Sequence, residues 1–269
     1  MKRYQRVVTS LLGVILLTSM SYGEHIWVGL YTKKAQTQEK SAQSIISREN
    51  IATISNAIGE EWRRGYFLVD IVQGERTWMA VFSKGTGYTA QSLYHSGNWT
   101  KFEKMIAKKK AEGFSLIDIE YGDGEWVGIF ARGVNFDSQI YTVDKEWSNF
   151  AKTTKAKWKE GYRLTKVEAS DGKIVGLFAK NTKIQEQNYI HRDDWDGVRA
   201  VIKSRWQEGY RLSMIEYGEG QWFVLFAKDQ NLNAEAYNGI YGWERFRKEI
   251  KTYWKNGYDI ESISSGWYD

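Results

Sequence analysis

Cations recur at one interval along this chain. Lys84, Arg132, Lys180 and Lys228 stand 48 residues apart, and Lys33 is the fifth of the set. Seven residues after each of the four comes Gln91, Gln139, Gln187 or Glu235, and Gln43 is the remaining copy. Side chains of these types could hold an anion, because ammonium and guanidinium groups attract it while carboxamides donate and accept beside them. Arg132 adds a planar fork suited to a carboxylate or phosphate. The plainer reading is also open: the amides satisfy backbone groups of the loop before them, and the cations form a solvated rim that splays outward. If the chain binds a ligand, these are the candidate residues.

Chemistry of other kinds has weaker footing. Asp118, Glu120, Asp123 and Glu125 crowd around one hairpin, where a carboxylate pair could serve hydrolysis, although such a pair says little without its separation. Of the three histidines, His25, His95 and His191, the last two lie 96 residues apart, which puts them in non-adjacent units and argues against a shared metal. Cysteine is absent, which removes disulfides, thiolate ligands and thiol catalysis. No HExxH, GxSxG, P-loop or GxGxxG pattern occurs. The expectation is therefore no catalytic residue, no metal and no cofactor. The 13 tryptophans sort by repeat position rather than forming a platform. Trp27, Trp78, Trp126 and Trp222 fall on one strand, Trp62, Trp158, Trp206 and Trp254 on the helix, and Trp99, Trp147, Trp195 and Trp243 at its entry, all positions for packing. Only Trp267 falls outside the pattern.

These residues are positioned by a repeat. Gly65, Gly113, Gly161, Gly209 and Gly257 mark the 48-residue register without a slip, as in Trp206-Gln207-Glu208-Gly209-Tyr210-Arg211-Leu212, so one supersecondary unit occurs in tandem. After each glycine the apolar offsets of Tyr210, Leu212 and Ile215 suit a bulged strand, here strand A. Gly122-Asp123-Gly124, Ser170-Asp171-Gly172 and Gly218-Glu219-Gly220 supply a tight hairpin turn. Strand B follows, as in Trp126 to Ala131, apolar at nearly every position and hence expected to be buried on both faces. The glutamines open strand C, expected at the edge of the sheet from its polar lead-in. A helix is then expected to start at capping residues Thr100, Ser148, Asp196 and Glu244, with Thr100 and Glu103 as a capping box, and to end at the glycine.

The ends complement each other. Ile26 to Leu30 matches strand B with no strand A before it, and Tyr258 to Ile263 is a strand A with nothing after it. The expectation is an α+β tandem repeat of five ββαβ units in one domain over residues 24–269. The C-terminal strand A should join B and C from the N-terminus in a closed five-fold α/β propeller, with an open half-barrel as the alternative. The ββαβ count is shared with penteins, a likeness of topology alone. Residues 1–23 read as a signal peptide: Lys2, Arg3 and Arg6 precede an apolar run too short to span a membrane, and Ser21-Tyr22-Gly23 form the cleavage boundary. The formal charge of +5 includes those three cations, so +2 remains after cleavage. That balance gives no reason to expect nucleic acid, and no membrane association is expected after cleavage.

The block from Ser83-Lys84-Gly85-Thr86-Gly87-Tyr88-Thr89-Ala90-Gln91-Ser92-Leu93-Tyr94 to Trp158-Lys159-Glu160-Gly161-Tyr162-Arg163-Leu164 resembles the domain of unknown function at the C-terminus of plant casein-kinase-I-like kinases, in which similar SKGTxYTxQSY and WxxGYx[IL]T stretches repeat. More distantly, the GYRL rhythm is similar to bacterial tandem repeats found beside β-lactamase-like hydrolases. Lys110 in a tryptophan slot and Glu235 in a glutamine slot depart from the pattern. The resemblance implies an accessory module and carries over neither kinase nor hydrolase activity. The expected function is an exported, periplasmic or secreted, non-catalytic recognition module for a protein or anionic ligand. The alternative is a hydrolase of cell-envelope peptide or glycan.

Overall fold

The computed structural model describes residues 24–33, 42–229 and 234–268. The signal peptide read in residues 1–23 lies outside them. In chain order the elements are β1 (Glu24–Lys33), β2 (Gln43–Arg48), α1 (Ile51–Arg63), β3 (Phe67–Gly74), β4 (Thr77–Ser83), β5 (Ala90–Ser96), α2 (Trp99–Ala111), β6 (Ser115–Gly122), β7 (Glu125–Arg132), β8 (Ser138–Asp144), α3 (Trp147–Lys159), β9 (Arg163–Ser170), β10 (Lys173–Lys180), β11 (Ile184–Arg192), α4 (Trp195–Gln207), β12 (Arg211–Gly218), β13 (Gln221–Asp229), β14 (Ala234–Tyr241), α5 (Trp243–Lys255) and β15 (Tyr258–Tyr268). They form five units, each with a three-stranded antiparallel sheet and one helix, an α+β arrangement in which no single sheet closes on itself.

The sheet orders are β14-β1-β15, β2-β4-β3, β5-β7-β6, β8-β10-β9 and β11-β13-β12. Strand B is central in each, as its apolar run requires. Strand C, however, does not stay with the strand B before it. It crosses to the next sheet, where it, the helix and the following strand A make a β-α-β crossover around the new strand B. This corrects the expected assignment: the helix covers the sheet that its own flanking strands build. The sheet holding both chain ends consequently takes only β1 from the N-terminus, and β14 and β15 from the C-terminus.

Local chemistry explains the elements. Asp123 and Gly124 turn the β6–β7 hairpin at φ of 52° and 77°, the left-handed pair that matches strand twist. The five register glycines have φ between 78° and 85° and end the helices, as their spacing indicates. Register shifts after Leu68, Leu116 and Leu212 are the expected bulges in strand A. The helix starts differ from expectation. Asn50, Asn98 and Asp194 cap α1, α2 and α4 by accepting from Thr53, Lys101 and Gly197, so the caps of α2 and α4 stand two residues before Thr100 and Asp196, and Trp99, Trp147, Trp195 and Trp243 are the first residues of α2 to α5. A short carboxamide or carboxylate before the tryptophan outcompetes Thr100 for the free N–H groups.

Strand B is buried on both faces. Trp78, Ala80 and Phe82 of β4 pack with Ile54 and Ile58 of α1, whereas Met79 and Val81 meet Phe246 and Ile250 of α5. Sheets and helices thus alternate, each helix wedged between two sheets. Strand A contacts strand A in the order β3, β6, β9, β12, β15 and again β3. At the hairpin end that approach is tight: a Cβ on Gly122 would lie 2.5 Å from Gln73, one on Gly266 2.4 Å from Tyr217, and one on Gly74 1.8 Å from Ser265.

Candidate functional site

Strand A is an edge strand, and its outward N–H groups are buried where the five copies meet, so they need acceptors from elsewhere. The neighbouring unit supplies them. Asp118 accepts from the Ile71 N–H at 3.1 Å, Asp70 from Ile263 at 2.6 Å, and Glu120 from Gln73 at 3.1 Å. The Sδ of Met214 takes the same place opposite Val167. These contacts gather Asp70, Asp118, Glu120, Glu168 and Glu216 around one cation, Lys166, which is 6 % exposed. Its Nζ lies 3.0 Å from Asp70, 3.0 Å from Asp118 and 3.8 Å from Glu216.

Five carboxylates around one ammonium cannot all be ionised without water. Burial raises the Asp118 carboxyl to about 8 and the Glu216 carboxyl to about 7, in both cases against the opposing pull of Lys166. Burial, reinforced by their acidic neighbours, holds Glu120 and Glu168 well above the ordinary carboxylate range. Desolvation acts against the Lys166 charge, but Asp118, Asp70, Glu216 and Glu120 together outweigh it and keep the ammonium protonated. Protons thus balance the charge that Lys166 leaves over. Glu120, Glu168 and Glu216 are also the one set among the described residues whose oxygens, within 4.8 Å of one another, could hold a metal ion.

The residues singled out in the sequence lie elsewhere. The Gln91 amide accepts from the Leu68 N–H and donates to the Leu68 carbonyl, both at 2.8 Å, and also accepts from the Trp62 indole at 2.8 Å. Gln43 treats Ile260 and Trp254 alike, and Gln139 and Gln187 bond both backbone groups of Leu116 and Leu164. The amides therefore clamp strand A and not the loop before them. Glu235 occupies the same place, and burial raises its carboxyl to about 7.

The cations each lie over the aromatic that follows a register glycine. Lys84 is 4.6 Å from the Tyr66 ring, Arg132 4.3 Å from Phe114, Lys180 4.5 Å from Tyr162, Lys228 4.5 Å from Tyr210 and Lys33 5.4 Å from Tyr258. Lys33, Lys84 and Arg132 are exposed, and Lys180 and Lys228 half-buried. Lys228 also pairs with Glu186 at 2.9 Å. The one cation–ring pair per unit left a trace in the sequence, since the aromatic shares the register of the cation.

The four hairpin carboxylates do not share one site. Asp118 and Glu120 are buried at the centre, Asp123 accepts from Trp78 at 2.6 Å, and Glu125 bonds His95. His191 packs on Trp147 and Phe223, and burial lowers it to about 4. His25 bonds Ser265, far along the chain from both. Trp267 is a hairpin-end residue: its carbonyl accepts from Trp222, and its ring meets His25 edge-on.

Among families, a domain of unknown function, DUF7477, matches residues 15–173. No curated protein is similar enough to match the chain.

Proposed function

Because the chain belongs to the DUF7477 family, whose description assigns no activity, its role must come from its own surface, and we propose an exported, non-catalytic recognition module built as a closed five-fold propeller. The carrying observation is the segregation of its polar groups. The carboxyls with the pKa values of acid–base chemistry are drawn inward, most of them around Lys166, and Glu235 against strand A, while the repeated feature at the surface is the cation–ring pair. Support for closure comes from the pairing of β1 with β14 and β15 and from the cyclic order of strand A contacts. Export rests on the charged start and apolar run of residues 1–23. Among the described residues no helix is long and apolar enough to cross a membrane. The likeness to accessory domains of plant kinases fits the same role.

With their amides bonded to strand A, the glutamines frame the site and the cations face the ligand. The proposed partner is a protein or other ligand bearing carboxylates. A fluorescein-labelled oligoglutamate peptide should bind at low ionic strength, weaken as salt screens the field, and be lost in the triple variant Lys84→Glu, Arg132→Glu, Lys180→Glu. Exposed cation–ring pairs are worth about 0.5–1 kcal/mol each, so that variant should melt lower yet still fold. Binding unchanged in a folded triple variant would move the site elsewhere. Turnover of any member of a labelled peptide and glycan panel would favour the hydrolase instead.

A further inference from the structure

We propose that the groove between α2 and β8 is a binding site for a planar aromatic ring bearing an N–H donor and a carboxylate, seated where the other units place their own tryptophan. The helix position three residues before the register glycine holds Trp62, Trp158, Trp206 and Trp254 in four units and Lys110 in the second. Each of those indoles packs against the core beside its helix, whereas the corresponding core around Phe102 and Ile106, which holds Trp99 and Trp126, has no indole from this position. A cavity of about 670 Å³ lies there instead, lined by Ile106, Lys110, Phe114, Gln139, Tyr141 and Leu177 among others. That volume falls within the roughly 300–1,000 Å³ typical of small-molecule sites. Lys110 does not fill it, being exposed, with its Nζ 3.4 Å from the Gln139 carbonyl.

The polar chemistry of the slot is legible from its sister units. Gln91 accepts the Trp62 ring N–H as well as the Leu68 amide, and Gln43 accepts the Trp254 ring N–H at 2.7 Å as well as Ile260. Trp158 fills the same place without such a bond. Gln139 accepts the Leu116 amide at 2.9 Å, which leaves its second lone pair directed where an indole N–H stands in the units of Trp62 and Trp254. Apolar walls from Ile106, Phe114 and Leu177 suit a ring, and the Lys110 ammonium at the edge suits a carboxylate. An indole carboxylate meets each requirement, either as a free small molecule or as the carboxy-terminal tryptophan of a polypeptide. The slot shares only Phe114 with the cation–ring pairs, so this inference goes beyond the anion reading and does not depend on it.

The test is titration of N-acetyl-L-tryptophan into the whole mature chain, followed by ligand-observed NMR and thermal shift. Saturable binding with a raised melting temperature is expected. Lys110→Trp should abolish binding while melting at or above the wild type, because it restores the residue that fills the slot elsewhere. Lys110→Gln should keep ring binding and lose the preference for N-acetyl-L-tryptophan over its neutral amide. Methylation of the ring nitrogen should weaken binding by up to about tenfold, the worth of one hydrogen bond. A peptide ending in tryptophan that binds more tightly than N-acetyl-L-tryptophan assigns the source to a polypeptide terminus, and equal binding assigns it to a free small molecule. No binding at millimolar ligand, or undiminished binding by Lys110→Trp, overturns the proposal.

Discussion

Replacing Lys166 by methionine should destabilise the protein by about 3–5 kcal/mol near neutral pH, the loss typical when one member of a buried ionic set is removed. For a domain of this size that is on the order of 10 °C in Tm. Among the described residues Lys166 is the only ammonium beside Asp70, Asp118, Glu120, Glu168 and Glu216, and two of its contacts are 3.0 Å long. Lys173→Met, which breaks a half-exposed pair with Asp171, should cost no more than about 1 kcal/mol. The pH dependence carries a definite sign. A carboxyl whose folded pKa is raised contributes stability that is full below its unfolded value and lost as pH rises through the folded one. For Glu216 and Asp118 the loss therefore runs from about pH 4–5 up to about 7 and 8. The Lys166→Met defect should shrink toward pH 5 and widen toward pH 8, while Glu216→Gln should gain on the wild type over the same rise. His191, lowered to about 4, acts oppositely below pH 6.5, so the variant-minus-wild-type difference is the quantity to measure. Parallel curves for Lys166→Met and the wild type would show that Lys166 does not hold the carboxylates.

Much of the fold was legible because its signals are local. The register glycines, the two-residue turns and the bulged strand each depend on a few neighbouring residues, and the double-sided apolar run of strand B needs no partner to be recognised. Strand C was assigned to the wrong sheet because its pairing is settled by the helix that follows it, a crossover rule rather than a side-chain pattern. The charged centre was harder to read. Asp70, Asp118 and Lys166 share one register position with Met214 and Ser262, so identity does not repeat even though place does. In a strand, moreover, polar residues between apolar ones read as a solvent face, and only the meeting of five such strands turns that face inward. Glu120, Glu168 and Glu216 did carry a signal, three carboxylates 48 residues apart that must converge if the units form a ring. For the cations, the ring beneath each was present in the same register, and what spacing could not supply was the direction of the side chain.

Removal of Gly257 to Asp269 should abolish cooperative unfolding or lower Tm by more than about 10 °C, far beyond the effect of trimming a free tail. That segment is β15, which pairs with β1 from Glu24 to Lys33 and buries Ile260 and Ile263 in the core that holds Trp27 and Phe246. It also joins the units on either side. Ser265 sits against Gly74, Tyr217 against Gly266, and the Ile263 N–H bonds Asp70 beside Lys166. Losing it would open two interfaces and leave Asp70 with one buried oxygen short of a donor. A shortened chain that melts like the full one would mean that the final strand is an appendage.

Closure of the five units on themselves is tested most directly by linking the two chain ends. Glu24 and Tyr268 are paired across β1 and β15, where the fifth hairpin turn would otherwise stand. The chain has no cysteine, so Glu24→Cys with Tyr268→Cys gives one defined thiol pair. On oxidation of dilute protein, the expected result is an intramolecular disulfide in monomeric protein with a higher melting temperature, on the order of the 2–4 kcal/mol usual for a native-compatible bridge. Thiols that stay free, or bridges that form only between molecules, would contradict closure and leave the open half-barrel.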